Sequence, residues 1–290
     1  MIGSQSVTWA DLNPMLAEAS GGQVLEEYAL GVLLTEECAR RGIRIGESDI
    51  QAERRLLGQS LARAAGLPPG ESETLITNVR RTRGLGDVRF RDLLQRNAQL
   101  RAIVRADPTS SIAVTISEAD IDTAYQLKYG PRVRVRLILV RSNENLQQAT
   151  ARLSAGAAFA DVASTASIDP SSVRGGLLDP FSDLDSRYPV AVRRVLQPMA
   201  PGQVSEPIAV TWGDQTGFAI VKLEERIGPV AGAPSREAAA KDLEAEVRLV
   251  RERAQMDKVA VDVLRSAGIS PMDRSLGWSW EQWRGPRTGQ

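Results

Sequence analysis

The chain has 290 residues, of which 42% are hydrophobic and 25% charged, and its formal net charge is +0. That length suits about two domains, and the even charge balance gives no basis for wholesale binding to nucleic acid or an anionic membrane surface. There is no histidine and one cysteine, which excludes imidazole acid–base chemistry, Ser-His-Asp and Cys-His arrangements, and a closed zinc site of about four Cys or His ligands.

Neither a metal nor an organic cofactor is expected. Cys38 lies in the helical pattern Leu33 to Ala39 and reads as a buried structural thiol that cannot form an internal disulfide. No apolar run approaches the roughly 18 residues of a membrane span. The start Met1-Ile2-Gly3-Ser4 lacks the regions of a signal peptide. On that ground the chain reads as cytoplasmic, unless an export segment has been cut away.

Residues 2–8 suit a short strand, with Asp11 placed to start a helix. From Gly21 the pattern is helical: Val24, Leu25, Tyr28, Val32 and the pair Cys38-Ala39 recur at helical steps and predict one apolar stripe, ended by Gly42 after Arg40 and Arg41. A second helix opens at Ile45–Ile50, capped by Ser48 or Asp49, and carries Leu56, Leu57 and Leu61 to the break at Pro68-Pro69-Gly70. Helices are expected over 71–83 and from Asp87 to Arg105, with a linker at Pro108 and Ser110-Ser111. Ile45-Gly46-Glu47-Ser48-Asp49-Ile50 is echoed by Ile116-Ser117-Glu118-Ala119-Asp120-Ile121. The echo fits a recurrent capping solution or an old duplication.

After Tyr129-Gly130-Pro131 the period changes. Val133, Val135, Leu137 and Leu139 alternate with Arg132, Arg134, Arg136 and Ile138, the pattern of a half-buried strand. Helices are expected over 143–155 and 157–166, then a Gly/Ser/Pro-rich stretch over 167–180, a short helix near 188–196 and a closing strand over 217–224. Gly228 to Pro234 is a second linker. Leu243, Val247, Val250, Ala254, Val261 and Leu264 then mark one face of a long helix, whose receiver is expected among the N-terminal helices. The tail Gly277-Trp278-Ser279-Trp280-Glu281-Gln282-Trp283 has three Trp outside any helical stripe. They serve as binding anchors or pack back on the helical domain.

The arginines Arg80, Arg81, Arg83, Arg89, Arg91, Arg96, Arg101 and Arg105 face only Asp87 and Asp92 within their own stretch. Two readings follow, an anionic-ligand site or a solvated helix face.

Three segments stand in order in the middle of the chain: Phe159-Ala160-Asp161-Val162-Ala163 followed by Ser167-Ile168-Asp169-Pro170-Ser171, then Gly175-Gly176-Leu177-Leu178-Asp179-Pro180-Phe181, then Pro201-Gly202-Gln203-Val204-Ser205-Glu206-Pro207-Ile208. They are similar to three motifs of the parvulin-type prolyl isomerases, which the chain resembles over roughly 133–224. With the flanking helices, the chain resembles SurA-like, PpiC-type foldases of bacterial envelopes. The resemblance implies an α+β fold: a helical chaperone domain formed by both chain ends, with an inserted parvulin-like domain of a small antiparallel sheet and helices. The implied divisions are 1–130, 131–228 and 229–290. An extracytoplasmic location (periplasm or envelope) is implied too.

The departures bear on activity. Where parvulins place two cleft histidines, this chain has Leu137 and Ala219, and in the glycine loop Leu177 and Asp179 replace an acid and a glycine. Asp179 thus stands where the backbone is expected to need a positive φ. The resemblance assigns Asp169 and Thr216 to catalysis, and Leu178, Phe181, Tyr188 and Val190 to substrate binding. Ser142-Asn143-Glu144-Asn145 is not basic, so phospho-specificity is not expected. The reading is a foldase or chaperone for unfolded or Pro-containing polypeptides, with weak or lost isomerase activity. The alternative is a non-catalytic assembly subunit that docks a dedicated protein partner on the same scaffold.

Overall fold

The computed structural model describes residues 6–107, 116–212 and 215–285. The chain is α+β, and its contacts divide it into two compact units. Met1–Thr115 with Arg248–Gln290 makes one, and Ile116–Val247 makes the other. Both chain ends therefore build the first unit.

In the first unit, α1 (Trp9–Arg40) is a single helix of 32 residues. It begins well before Gly21 because Thr8 and Asp11 cap it: the Thr8 N–H donates to Asp11 Oδ2 at 2.8 Å. Residues 6–8 form no strand, and 2–5 lie outside the described residues. The helices α2 (Glu47–Ala64), α3 (Ser72–Thr82) and α4 (Asp87–Ala106) follow close to the expected bounds. The expected linker at Pro108 and Ser110-Ser111 lies outside the described residues.

Asp49 works as the third residue of α2, its Oδ2 accepting the Gly46 N–H at 2.8 Å. Asp120 does the same for Ser117 at 2.8 Å at the start of α5 (Glu118–Tyr129). The echoed hexapeptides thus share one physical job, closing a helix N-terminus.

The expected α1 stripe is out of phase. Val24, Tyr28 and Val32 are 39%, 69% and 42% exposed, whereas Leu34 and Cys38 are buried. Leu34 and Cys38 pack with Leu100, Ile103 and Val104 of α4 and with Met256 of α9 (Arg236–Ser266). Burial pushes the Cys38 thiol up, as suits a structural role. A second cluster joins Ile50, Ile76, Phe90 and Leu94. The long-helix stripe also needs correction: Val250 and Val261 are 70% and 44% exposed, while Leu243, Glu252 and Met256 are buried.

Five of the eight arginines, Arg80, Arg89, Arg91, Arg101 and Arg105, are committed to acids within the protein, which weighs against the anionic-ligand reading. Arg89 holds Glu27 (2.7 Å), Arg91 holds Glu47 (2.6 Å), and Arg80 pairs with Asp87. Arg101 bridges Glu53 and Glu252, and Arg105 reaches Glu252 at 2.6 Å. Most of these acids come from other helices, so a count within the Arg stretch overlooked them. Burial, the largest single influence, works to raise the Glu27 pKa, but the hydrogen bonds from Arg89 and Gln23 and the charges of Arg89 and Arg96 together hold it below its usual range.

The C-terminal Trp segment is α10 (Arg274–Arg284), capped by Asp273, and it lies against α1. Trp280 is 7% exposed, and the Trp283 Nε1–H donates to Glu26 at 2.9 Å. The expectation that these Trp stand outside a helical stripe is therefore corrected, although Trp278 remains 53% exposed.

In the second unit, α5 and the first turns of α9 pack together through Ile121, Ala239 and Leu243. The sheet has three antiparallel strands in the order β1-β3-β2: β1 (Arg132–Val140), β2 (Ile208–Trp212) and β3 (Gln215–Ile227). Two helices, α6 (Asn143–Ser154) and α7 (Phe159–Ala166), cover one face through Leu146, Phe159 and Val162 packed on Ile138, Val140 and Ile220. This cover explains why β1 is buried on both faces from Leu137 onward rather than half-buried along its length. The short α8 (Val190–Leu196) covers the other face, where Val192 and Leu196 meet Val133, Val135, Leu137 and Leu139. Each such fully buried aliphatic contributes roughly 1.5–3 kcal/mol.

Candidate functional site

The glycine loop runs along the outer edge of β1. Leu137 N–H donates to Gly176 O (2.8 Å), Leu178 N–H to Val135 O (3.0 Å), and Val133 N–H to Phe181 O (2.8 Å). Gly175 and Gly176 have φ of +64° and +76°. A Cβ on Gly176 would stand 2.4 Å from Leu137 O, so only glycine lets the loop lie this close. Arg136 secures it from the strand, Nη1 donating to Gly175 O at 2.8 Å and Nε to Glu224 at 2.8 Å.

The expectation for Asp179 is corrected. Among the described residues no non-glycine has positive φ, and Asp179 accepts from Arg174 Nη1 at 3.0 Å. The left-handed conformation falls on Gly175 and Gly176 alone in this loop.

Leu137 and Ala219 are both fully buried on the α8 face of the sheet, in one cluster with Leu139, Phe181 and Val210. Leu139 stands opposite Ala219 and Leu137 opposite Val221, so Leu137 and Ala219 are diagonal neighbours. Leu178, Tyr188 and Trp212 pack on this cluster half-buried. The floor is apolar.

Phe181, 4% exposed, stacks on Tyr188 with centroids 3.7 Å apart and planes 14° apart. Trp212 meets Tyr188 edge-on at 5.7 Å and 77°. Trp212 escaped the sequence reading with the whole of β2. The signal was present: Ile208, Val210 and Trp212 alternate before Gly213-Asp214, a hairpin dipeptide.

The segment before α8 fixes Tyr188. Buried Asp185 accepts from the Arg187 backbone N–H (3.0 Å) and guanidinium (2.6 Å), and those hydrogen bonds hold its carboxyl below the usual range. Arg193 donates to Tyr188 O and to Asp183 O, each at 3.0 Å. Burial pushes the Tyr188 phenol up; Arg187 opposes this, while Asp185, Asp179 and Asp169 add to it.

Asp169 is half-buried and caps a single 3-10 turn, Pro170–Arg174, accepting the Ser171 N–H at 2.8 Å. Ser167 ties this segment to β1, its Oγ accepting the Leu139 N–H at 3.0 Å. Thr216 is exposed on β3 opposite Thr211. Val190, expected in the pocket, is 58% exposed at the first position of α8 and stays outside the cluster. At that position it starts the helix, and Val192 and Leu196 turn inward instead. The structure thus gathers Leu137, Ala219, Leu178, Phe181 and Tyr188, and leaves Val190 and Thr216 on the surface. Among the described residues no group of His, Cys, Asp and Glu is arranged to hold a metal ion. Among the described residues no helix is long and apolar enough to cross a membrane either.

Residues 140–225 match the family model of the rotamase, PPIC-type PPIASE domain. The chain is 24% identical over 192 residues to foldase protein PrsA of Enterococcus faecalis, covering 66% of this chain and 54% of that protein. It is 27% identical over 174 residues to foldase protein PrsA 4 of Bacillus cereus, covering 57% and 55%. The chain thus spans about half the length of the curated relatives it matches. Among solved structures, the peptidylprolyl isomerase PrsA from Bacillus anthracis is 18% identical and covers 86% of this chain and 100% of its own, with a TM-score of 0.44. Foldase protein PrsA from Streptococcus pneumoniae is 14% identical and covers 95% and 96%, with a TM-score of 0.43. Three sequence motifs, the sheet they fold into and the family match converge on one assignment: the middle of this chain is a PPIC-type rotamase domain of the parvulin family.

Proposed function

We propose that the chain is a parvulin-type foldase that binds unfolded or Pro-containing polypeptide segments in the cleft over Leu137 and Ala219. The observation that carries this reading is the half-buried aromatic wall of Tyr188 and Trp212 above a dry floor. Such a surface suits the ring of proline, which offers apolar area and little polarity. Turnover is weak in this reading. Prolyl isomerisation needs no proton transfer, only tighter binding of the twisted amide than of either planar form. Loss of both histidines removes polar groups that serve that end, and leaves Asp169 and Tyr188 beside the cleft. An extracytoplasmic place of work goes with the resemblance to envelope foldases.

The test is NMR exchange spectroscopy on a panel of Xaa-Pro peptides. We expect exchange above the uncatalysed rate, lowered about tenfold by Asp169→Asn, as the loss of a charge-assisted contact predicts. Asn keeps an oxygen for the 3-10 cap, so the fold is spared. Binding without exchange would reduce the protein to a chaperone. Neither binding nor exchange would favour the second reading, an assembly subunit with a dedicated partner, for which the exposed Trp278 is a natural anchor.

A further inference from the structure

We infer that the Tyr188 hydroxyl is a catalytic hydrogen-bond donor to the prolyl substrate, filling a polar role that the histidine-free floor cannot; this rests on the cleft binding Xaa-Pro peptides as proposed above.

Three observations place it there. The Tyr188 ring is fixed by the stack on Phe181 (3.7 Å) and the edge of Trp212 (5.7 Å), so the phenol needs little further ordering to act. Its backbone is held by Arg193, whose Nε donates to Tyr188 O at 3.0 Å. The hydroxyl itself has no hydrogen-bond partner among the described residues, although the ring is half-buried on the cluster that holds Leu137 and Ala219. The hydroxyl is not among the enclosed polar atoms, so a peptide bound on this cluster can meet it in place of solvent.

The chemistry follows from amide resonance. A planar prolyl amide has its nitrogen lone pair delocalised into the carbonyl, and rotation about C–N returns that pair to nitrogen. A donor aimed at this nitrogen therefore binds the twisted form and neither planar isomer, which is the selectivity that accelerates rotation. No bond forms or breaks and no proton is transferred. Burial keeps the phenol protonated through the neutral range, so the donor is always present. Because the chain has no histidine, no imidazole titration shapes the rate between about pH 6 and 8.

The test is Tyr188→Phe in the full chain, which keeps the ring and its stack and removes only the oxygen. Peptide Kd should stay within about twofold, and exchange should fall about tenfold, the worth of one hydrogen bond made only in the twisted state. The wild-type rate should be flat over that pH range. Equal exchange in Tyr188→Phe and wild type would overturn the inference. So would a wild type that binds peptide yet exchanges it at the uncatalysed rate, which leaves the binding cleft standing. A wild type that binds no Xaa-Pro peptide overturns the cleft reading itself.

Discussion

Leu137 and Ala219 sit where a polar pair would need partners in a floor that offers none. Filling both positions with apolar atoms leaves no buried donor or acceptor unmet, which is why the sheet closes tightly there. Gly176 is the neighbouring residue on which this packing depends. Gly176→Ala forces a Cβ against Leu137 O at 2.4 Å and strains a φ of +76°. It should cost at least about 2 kcal/mol. Gly84→Ala, with φ +60° and open space around it, should cost nearer 1 kcal/mol. Urea denaturation of the two variants checks the difference, and equal costs would mean that the loop does not lie against β1. At this scale much was legible. The glycine pair was read from its motif, and Gly175 and Gly176 do take the left-handed backbone. Val190 was not, because spacing does not say which way the first residue of a helix points.

Glycine at the next scale decides how close two helices come. Gly21 and Gly22 read in the sequence as the start of a helix, yet they lie in the middle of α1 and form the seat of α10. A Cβ on Gly22 would stand 2.4 Å from Ser279 O and 2.7 Å from the Trp283 Cβ, and the Gly22 N–H donates to Ser279 Oγ at 2.9 Å. Gly22→Leu should therefore lift α10 from α1. Tryptophan emission should shift to the red as Trp280 is exposed, and amides of 274–284 should lose hydrogen-exchange protection. Unchanged emission and protection would contradict the packing. The misplaced stripes share one cause. α1 is covered by α10 near residue 22 and by α4 and α9 near residues 34–38, so its buried face shifts along its length and no single stripe marks it. In α9 the buried set includes Glu252, 1% exposed and held by Arg101 and Arg105, which hydropathy assigns outward.

Over the whole molecule, the two chain ends build one unit and the middle another, and each unit has its own core. The α+β class and the central family were readable because motifs and strand alternation are local in sequence. The ion pairs between α4 and α1, α2 or α9 were not, because they join residues up to 151 positions apart. The aromatic wall was half readable, since the resemblance assigned Tyr188 to substrate binding and Trp212 lies in a strand that the motifs do not mark. The account stands on that wall being a proline-binding surface. The most direct test is a 15N-NMR titration of the full chain with a Pro-containing peptide and with the same peptide carrying Ala for Pro. The account predicts shift changes at 178–188 and at the Trp212 indole, reached at lower concentration with the Pro peptide. Shifts that avoid those residues, or that do not distinguish Pro from Ala, would contradict it.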